Sequence, residues 1–148
     1  VGRNLSKQPI PSPKSVSARI GKYLSLTGID VRTPKVRRGD YVEVAAVLRC
    51  DERIPPGYKL FVHLKTPSGP FANGDHDFLS GYLSPQRVRP GSYLRDVTRI
   101  QVPASFPSGK ATLQIGLYRR AERVPVSGDP QVALSVEQAL SIGTIDIE

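Results

Sequence analysis

The densest group of side chains that could hold a ligand lies between residues 71 and 82. Aromatic residues there flank the polar run Asn73-Gly74-Asp75-His76-Asp77. Aromatic rings stack on the apolar faces of sugars, while amide, carboxylate and imidazole groups bond to hydroxyls. The predicted ligand-binding residues are Phe71, Asn73, Asp75, His76, Asp77, Phe78 and Tyr82. The alternative is that these rings close one end of a hydrophobic core.

The same polar run offers oxygen and nitrogen ligands for Ca²⁺ or a transition metal. A helix-loop calcium site that began at Asn73 would need glycine at its sixth position and glutamate at its twelfth. The sequence has Phe78 and Ser84 at those places. We therefore predict polar turns stabilised by short side chains, and neither a metal site nor a cofactor.

Catalysis by a nucleophile would need a serine or Cys50 beside His63 or His76, with a carboxylate to orient the histidine. No nucleophile-elbow pattern is present. Cys50 falls on the apolar side of an alternating segment, which indicates a small core residue. We therefore predict no catalytic residues and no enzyme activity in this chain.

The net charge of +8 comes from 21 basic and 13 acidic residues. Such a charge would suit a polyanion, including nucleic acid, anionic lipid or acidic glycan. The basic residues are scattered, however, and no nucleic-acid motif accompanies them, so nucleic acid is not predicted as a partner. Arg38-Gly39-Asp40 spells a cell-adhesion tripeptide, although a turn before a strand also demands its glycine.

Short apolar runs separated by glycine and proline predict β-strands throughout residues 19–148. Residues 41–50 alternate most clearly, with Val42, Val44, Ala46, Leu48 and Cys50 on one face. The run 58–65 places Leu60, Val62 and Leu64 on one face. It leaves Lys59, Phe61 and His63 on the other face. Further strands are predicted at 19–31 (bent, or broken at Gly28), 93–102, 110–118, 132–136 and 142–147. A helix over 136–140 is the competing interpretation of one short stretch.

About eight strands at these spacings predict an all-β fold, a two-sheet antiparallel β-sandwich of the immunoglobulin-like or jelly-roll type. Residues 1–18 are rich in proline, serine and cations, and we predict a basic arm or linker there. The chain starts at Val1 and contains no methionine, so we expect it to be part of a longer polypeptide. A turn-to-strand pattern occurs twice, at 36–42 and 88–94, each with a glycine before the strand.

An ordered set of short segments resembles a known family of soluble domains. The segments are Arg38-Gly39-Asp40, Leu60-Phe61-Val62-His63-Leu64, Asp75-His76, Arg89-Pro90-Gly91 to Arg95-Asp96, Pro107-Ser108-Gly109 and Gly116-Leu117-Tyr118. They resemble the C-terminal β-sandwich domain of bacterial membrane glycosyltransferases of the protein mannosyltransferase type and related cell-envelope proteins. The resemblance spans residues 20–126 and implies a sandwich outside the cytoplasmic membrane. It implies no active site, because the catalytic residues of such enzymes lie in membrane-embedded parts.

These observations together predict a non-catalytic, extracytoplasmic accessory domain, periplasmic or on the cell surface, of a larger envelope protein. Its expected role is to position or recognise a glycan near the membrane. The domain would be connected to the membrane only through a part of the parent chain that is absent here. The alternative is a structural or protein-protein interaction module without a small-molecule site. The sequence leaves the oligomeric state open.

Overall fold

A computed structural model describes residues 5–74 and 83–148, and the structural statements below concern these residues. They form thirteen β-strands, of which seven are long. The long strands are β2 (Lys14–Ile20), β3 (Leu24–Val31), β5 (Tyr41–Cys50), β6 (Lys59–Lys65), β8 (Tyr93–Gln101), β9 (Gly109–Arg119) and β13 (Ala139–Ile147). The short strands are β1 (Leu5–Ser6), β4 (Lys35–Val36), β7 (Phe71–Asn73), β10 (Glu122–Arg123), β11 (Val126–Gly128) and β12 (Ala133–Leu134). One turn of 3₁₀-helix occurs at Pro85–Arg87.

The strands pair into two facing sheets. Sheet A has the order β1-β8-β5-β3-β2-β11, and sheet B has the order β12-β13-β9-β6-β7. Two short strands extend sheet B beyond this path: β10 pairs with β9, and β4 pairs in parallel with β13. No helix in the described part of the chain is long and apolar enough to cross a bilayer.

The predicted two-sheet sandwich is confirmed, with more strands than the eight expected. The excess consists of strands of two or three residues, which are too short for an alternating pattern to show. The parallel pair of β4 and β13 is a further departure from a wholly antiparallel sheet. The segment 136–140 forms no helix, because Ala139 and Leu140 already belong to β13.

β-Structure begins earlier than residue 19, inside the segment predicted to be an arm. Leu5 pairs with Leu94 of β8, and β2 starts at Lys14. Val16 packs against the core and Ala18 is 2% exposed. These two apolar residues at alternate positions continue the pattern of β2 toward the N-terminus, a pattern that the proline- and serine-rich composition hides.

The two similar turns before β5 and β8 share one geometry. Gly39 and Gly91 have φ angles of +92° and +87°, which glycine adopts without strain. The amide of Asp40 donates to the carbonyl of Arg37, and the amide of Ser92 donates to the carbonyl of Arg89. The Gly39 amide also donates to the carbonyl of Val102, and the Gly91 amide donates to the carbonyl of Cys50. The turns therefore fix where β5 and β8 enter sheet A.

Strand alternation determines which residues fill the space between the sheets. Leu60, Val62 and Leu64 of β6 point inward and are at most 1% exposed. The alternate residues Phe61 and His63 consequently lie on the outer face of sheet B. Cys50 is fully buried in the core, as predicted. The outer face of sheet B therefore carries aromatic side chains of β6 between Lys59 and Lys65.

Candidate functional site

A groove on the outer face of sheet B collects most of these aromatic side chains. β6 contributes Phe61 and His63, and its edge neighbour β7 contributes Phe71 and Asn73. The register pairs His63 with Asn73 and Lys65 with Phe71, so these side chains lie side by side. On the other side of β6, Tyr118 of β9 shares the same face. The sheet itself therefore sets the spacing of the groove.

Phe61 forms the floor of the groove. It is only 1% exposed, although it lies on the outer face of the sheet. The facing residue on β9 is Gly116, and a Cβ at that position would lie 2.3 Å from two carbon atoms of the Phe61 ring. The absence of a side chain at Gly116 therefore lets the ring pack directly against β9.

Arg123 covers part of this floor. The hairpin from β9 to β10 turns at Arg120, whose φ angle is +58°, and places Arg123 opposite Tyr118. The Arg123 guanidinium lies 4.3 Å from the centre of the Phe61 ring, a cation-π contact. Its Nη1 donates to the carbonyl of Glu137 at 2.8 Å, and its Nη2 lies 3.5 Å from Nδ1 of His63. Three contacts thus hold Arg123 in one orientation.

The rings run in a continuous series across three strands. The centres of Tyr118 and Phe61 are 6.2 Å apart, those of Phe61 and His63 are 5.0 Å apart, and those of His63 and Phe71 are 4.8 Å apart. These separations are in the range of attractive ring contacts. Phe71 ends the series at the sheet edge and is 53% exposed. About half of the Phe71 surface in the groove is therefore open to solvent.

The cavity above these rings has a volume of about 250 Å³ and opens to solvent. Its lining residues are Phe61, His63, Phe71, Asn73, Tyr118, Arg120, Ala121 and Arg123. We call this the aromatic groove. A larger cavity of about 660 Å³ lies beside β2 and β13, but its described lining is serine, threonine and other non-aromatic residues. Because that cavity offers no ring, the aromatic groove is the stronger candidate for a site that recognises a specific ligand.

Two of the seven predicted ligand-binding residues lie in the aromatic groove. Phe71 and Asn73 occupy β7 with both side chains on the outer face of sheet B, next to His63. Asp75, His76, Asp77, Phe78 and Tyr82 lie outside the described residues. The contribution of those five residues stays a prediction.

Sequence reasoning did not assign Phe61, His63, Tyr118, Arg120 and Arg123 to this site. Alternation did place Phe61 and His63 on one side of a strand, opposite its core face. Alternation within one strand does not show which strands are neighbours. It could therefore not predict that β9 lies beside β6 or that β10 folds back beside β9. The site residues on β9 and β10 depend on those two pairings.

Positive charge distinguishes the groove from an ordinary aromatic cluster. Arg120 and Arg123 line it, and its described lining contains no aspartate or glutamate. The ion pairs found within the described residues involve seven cations: Arg19, Lys22, Arg32, Arg37, Arg49, Arg99 and Lys110. Arg120 and Arg123 are not among them. Their charges therefore face the groove without a described carboxylate partner.

The other polar cluster of note lies on the outer face of sheet A. The Ser25 hydroxyl donates to Asp51 at 2.5 Å, and Arg49 donates to both Asp51 and Ser25. No described histidine belongs to this cluster, and the arginine holds both partners in place. Burial raises the pKa of the Cys50 thiol, with a smaller effect from the Asp51 carboxylate in the same direction and an opposing one from Arg53. Both features are those of structural groups rather than activated nucleophiles.

Comparison with solved structures finds chains of similar fold. The fold resembles the crystal structure of the C-terminal domain of Wzt, with a TM-score of 0.49 and 16% sequence identity. The alignment covers 95% of this chain and 82% of that domain. No protein-family model matches the chain, and no curated protein matches it by sequence.

Proposed function

We propose that this chain is a non-catalytic accessory module that binds a glycan in the aromatic groove. The observation on which the proposal depends is the exposed ring of Phe71, set beside His63 and Asn73 on one rigid sheet face. A sugar ring has an apolar face and an equatorial rim of hydroxyls. The groove matches both, since it offers a ring to stack on and planar polar groups beside it.

Each polar group of the groove suits a hydroxyl-rich ligand. The Asn73 amide provides both donors and acceptors, and the Arg120 guanidinium provides donors at the rim. The cavity of about 250 Å³ lies just below the size typical of sites for drug-like ligands. A cavity of this size accommodates a compact group such as one sugar ring, with the rest of a chain extending into solvent.

The groove is also built for binding without rearrangement. Its side chains come from paired strands and a hairpin held by β-sheet hydrogen bonds. Phe61 is locked between Gly116 and Arg123. Binding to such a site orders few side chains, which limits the entropic cost of association.

We also propose that the module works outside the cytoplasm, as part of a larger envelope protein. This part of the proposal rests on the resemblance of residues 20–126 to the sandwich domains of membrane glycosyltransferases. There the module would position a glycan substrate or product near the membrane. Fractionation of cells that express the native full-length gene product tests the location directly.

A glycan array tests the binding proposal, with wild type, Phe71→Ala and Tyr41→Ala compared on the same slides. Phe71 is 53% exposed, so a sugar would cover about half of its side chain. Burying a whole phenylalanine is worth about 1.5–3 kcal/mol, so the exposed half is worth about 1 kcal/mol. Phe71→Ala should therefore weaken binding of any array hit by about fivefold or more.

Tyr41→Ala is the matched control. Tyr41 is 49% exposed and lies on the outer face of sheet A, so it resembles Phe71 in the exposure of an aromatic ring but lies outside the groove. It should bind array hits like wild type. Equal binding by all three proteins would exclude Phe71 as the platform. If wild type bound no glycan at all, the proposal would fail, and the structural or protein-interaction module would become the better interpretation.

A further inference from the structure

We infer that the ligand of the aromatic groove bears an anionic group, a carboxylate or a phosphate, which pairs with Arg123 and Arg120. This inference rests on the proposed function, since it specifies the class of glycan rather than the existence of binding. The groove combines a ring platform with two guanidinium groups and no described acidic residue.

Arg123 is the first reason to expect an anion. It is partly buried, and its guanidinium is fixed by the Phe61 ring, the Glu137 carbonyl and His63. A charge held away from bulk water loses hydration, and a backbone carbonyl compensates for only part of that loss. Arg123 is absent from the ion pairs formed between described residues. A ligand anion would supply an ionic partner that none of the described carboxylates supplies.

Arg120 is the second reason, because its position in the hairpin is unfavourable for an arginine. Its φ angle of +58° is one that glycine or asparagine adopts more readily at such turns. The side chain is exposed and lines the mouth of the groove. An arginine at this place therefore gives the backbone no advantage, while it adds a positive charge to the lining of the groove.

Guanidinium chemistry narrows the class of ligand. Arginine presents planar, paired N–H donors that match the oxygens of carboxylates and phosphates in a bidentate arrangement. Uronic acids and phosphorylated sugars both combine such oxygens with a stackable sugar ring. The shared chemistry is an anionic saccharide, and the two sources of the anion can be separated by experiment.

The test uses matched pairs of oligosaccharides that differ only in the anion, measured by isothermal titration calorimetry. One pair is trigalacturonate and its methyl ester, and the other is mannotriose with and without a terminal phosphate. For at least one pair, we expect wild type to bind the acidic member about tenfold more tightly or better than the neutral one. The pair that shows the preference identifies the anion as carboxylate or phosphate. The preference should shrink as NaCl rises toward 1 M.

Three variants show which arginine residues cause the preference for the acidic oligosaccharide. Arg123→Gln and Arg120→Gln should each bring the acid-to-neutral ratio toward one. Arg119→Gln removes the same charge from the next residue, but Arg119 lies over the Tyr58 ring and does not line the groove, so it should keep the wild-type ratio. Far-UV circular dichroism confirms that each variant is folded.

The outcomes separate this inference from the proposed function. If neutral glycans bind and both acidic members bind no better than their neutral partners, the inference is overturned while glycan binding stands. The inference is also overturned, while glycan binding stands, if the preference for the acidic ligand survives both groove variants but is lost in Arg119→Gln. If neither these probes nor the array shows any binding, the proposed function itself is overturned.

Discussion

Replacing Gly116 by alanine should displace the floor of the aromatic groove. The new Cβ would lie 2.3 Å from Cε2 and Cζ of Phe61 and 3.3 Å from the carbonyl oxygen of Gln138. Carbon atoms normally approach to about 3.5–4.0 Å, so the ring must move by more than 1 Å. Its cation-π contact with Arg123 would be disturbed as a result. Overpacking of this kind costs about 1–3 kcal/mol of stability.

A double-mutant cycle with Phe61→Leu makes this prediction quantitative. Leucine lacks the ring carbons that an alanine at 116 would strike, so Phe61→Leu should relieve most of the cost of Gly116→Ala. We expect a coupling of about 1–3 kcal/mol between the two sites. The free energy of unfolding is measured in urea by circular dichroism, since the chain contains no tryptophan to report by fluorescence. Additive effects of the two substitutions would refute the close packing of Phe61 against Gly116.

Two further predictions concern other parts of the fold. Gly69 and Gly128 both have φ angles of +117°, but only at Gly128 would a Cβ meet backbone, at 2.7 Å from Cα of Ala18. Gly128→Ala should therefore destabilise by about 1–3 kcal/mol more than Gly69→Ala in urea unfolding; equal losses would contradict the described contact of β11 with β2. Burial raises the pKa of Cys50 above that of an unfolded thiol, about 8.5, so its contribution to stability is complete below that pH and is lost as the pH rises through the folded pKa. Cys50→Ala should make the free energy of unfolding less dependent on pH above about 8.5, and an unchanged dependence would count against this.

Much of the fold could be predicted because its long strands alternate. Three strands were predicted at nearly their observed bounds, because each has one apolar face for the core. They are the strands predicted at 41–50, 58–65 and 110–118. The glycines at 39 and 91 were predicted as turn residues from the same pattern and have the expected positive φ angles. The short strands could not be found, because a pair of residues such as Leu5–Ser6 has no measurable period.

The site was harder to predict than the fold because it depends on strand order. Phe71 and Asn73 were predicted as ligand-binding residues because they lie close together in one aromatic and polar segment of the sequence. Their neighbours in space come from β6, β9 and β10, and the closest of these in sequence is His63. Arg123 joins the site only because β10 folds back beside β9, a pairing of two residues. No local pattern specifies which strands are adjacent in a sheet.

Mapping a bound glycan by NMR tests the central claim most directly. Aromatic side-chain resonances are followed while the strongest glycan-array hit is titrated into the labelled protein. We predict that the largest shifts belong to Phe61, His63, Phe71 and Tyr118, with Tyr41 and Tyr58 unchanged. Shifts confined to sheet A, or to the serine- and threonine-lined cavity beside β2 and β13, would contradict the assignment of the aromatic groove as the binding site.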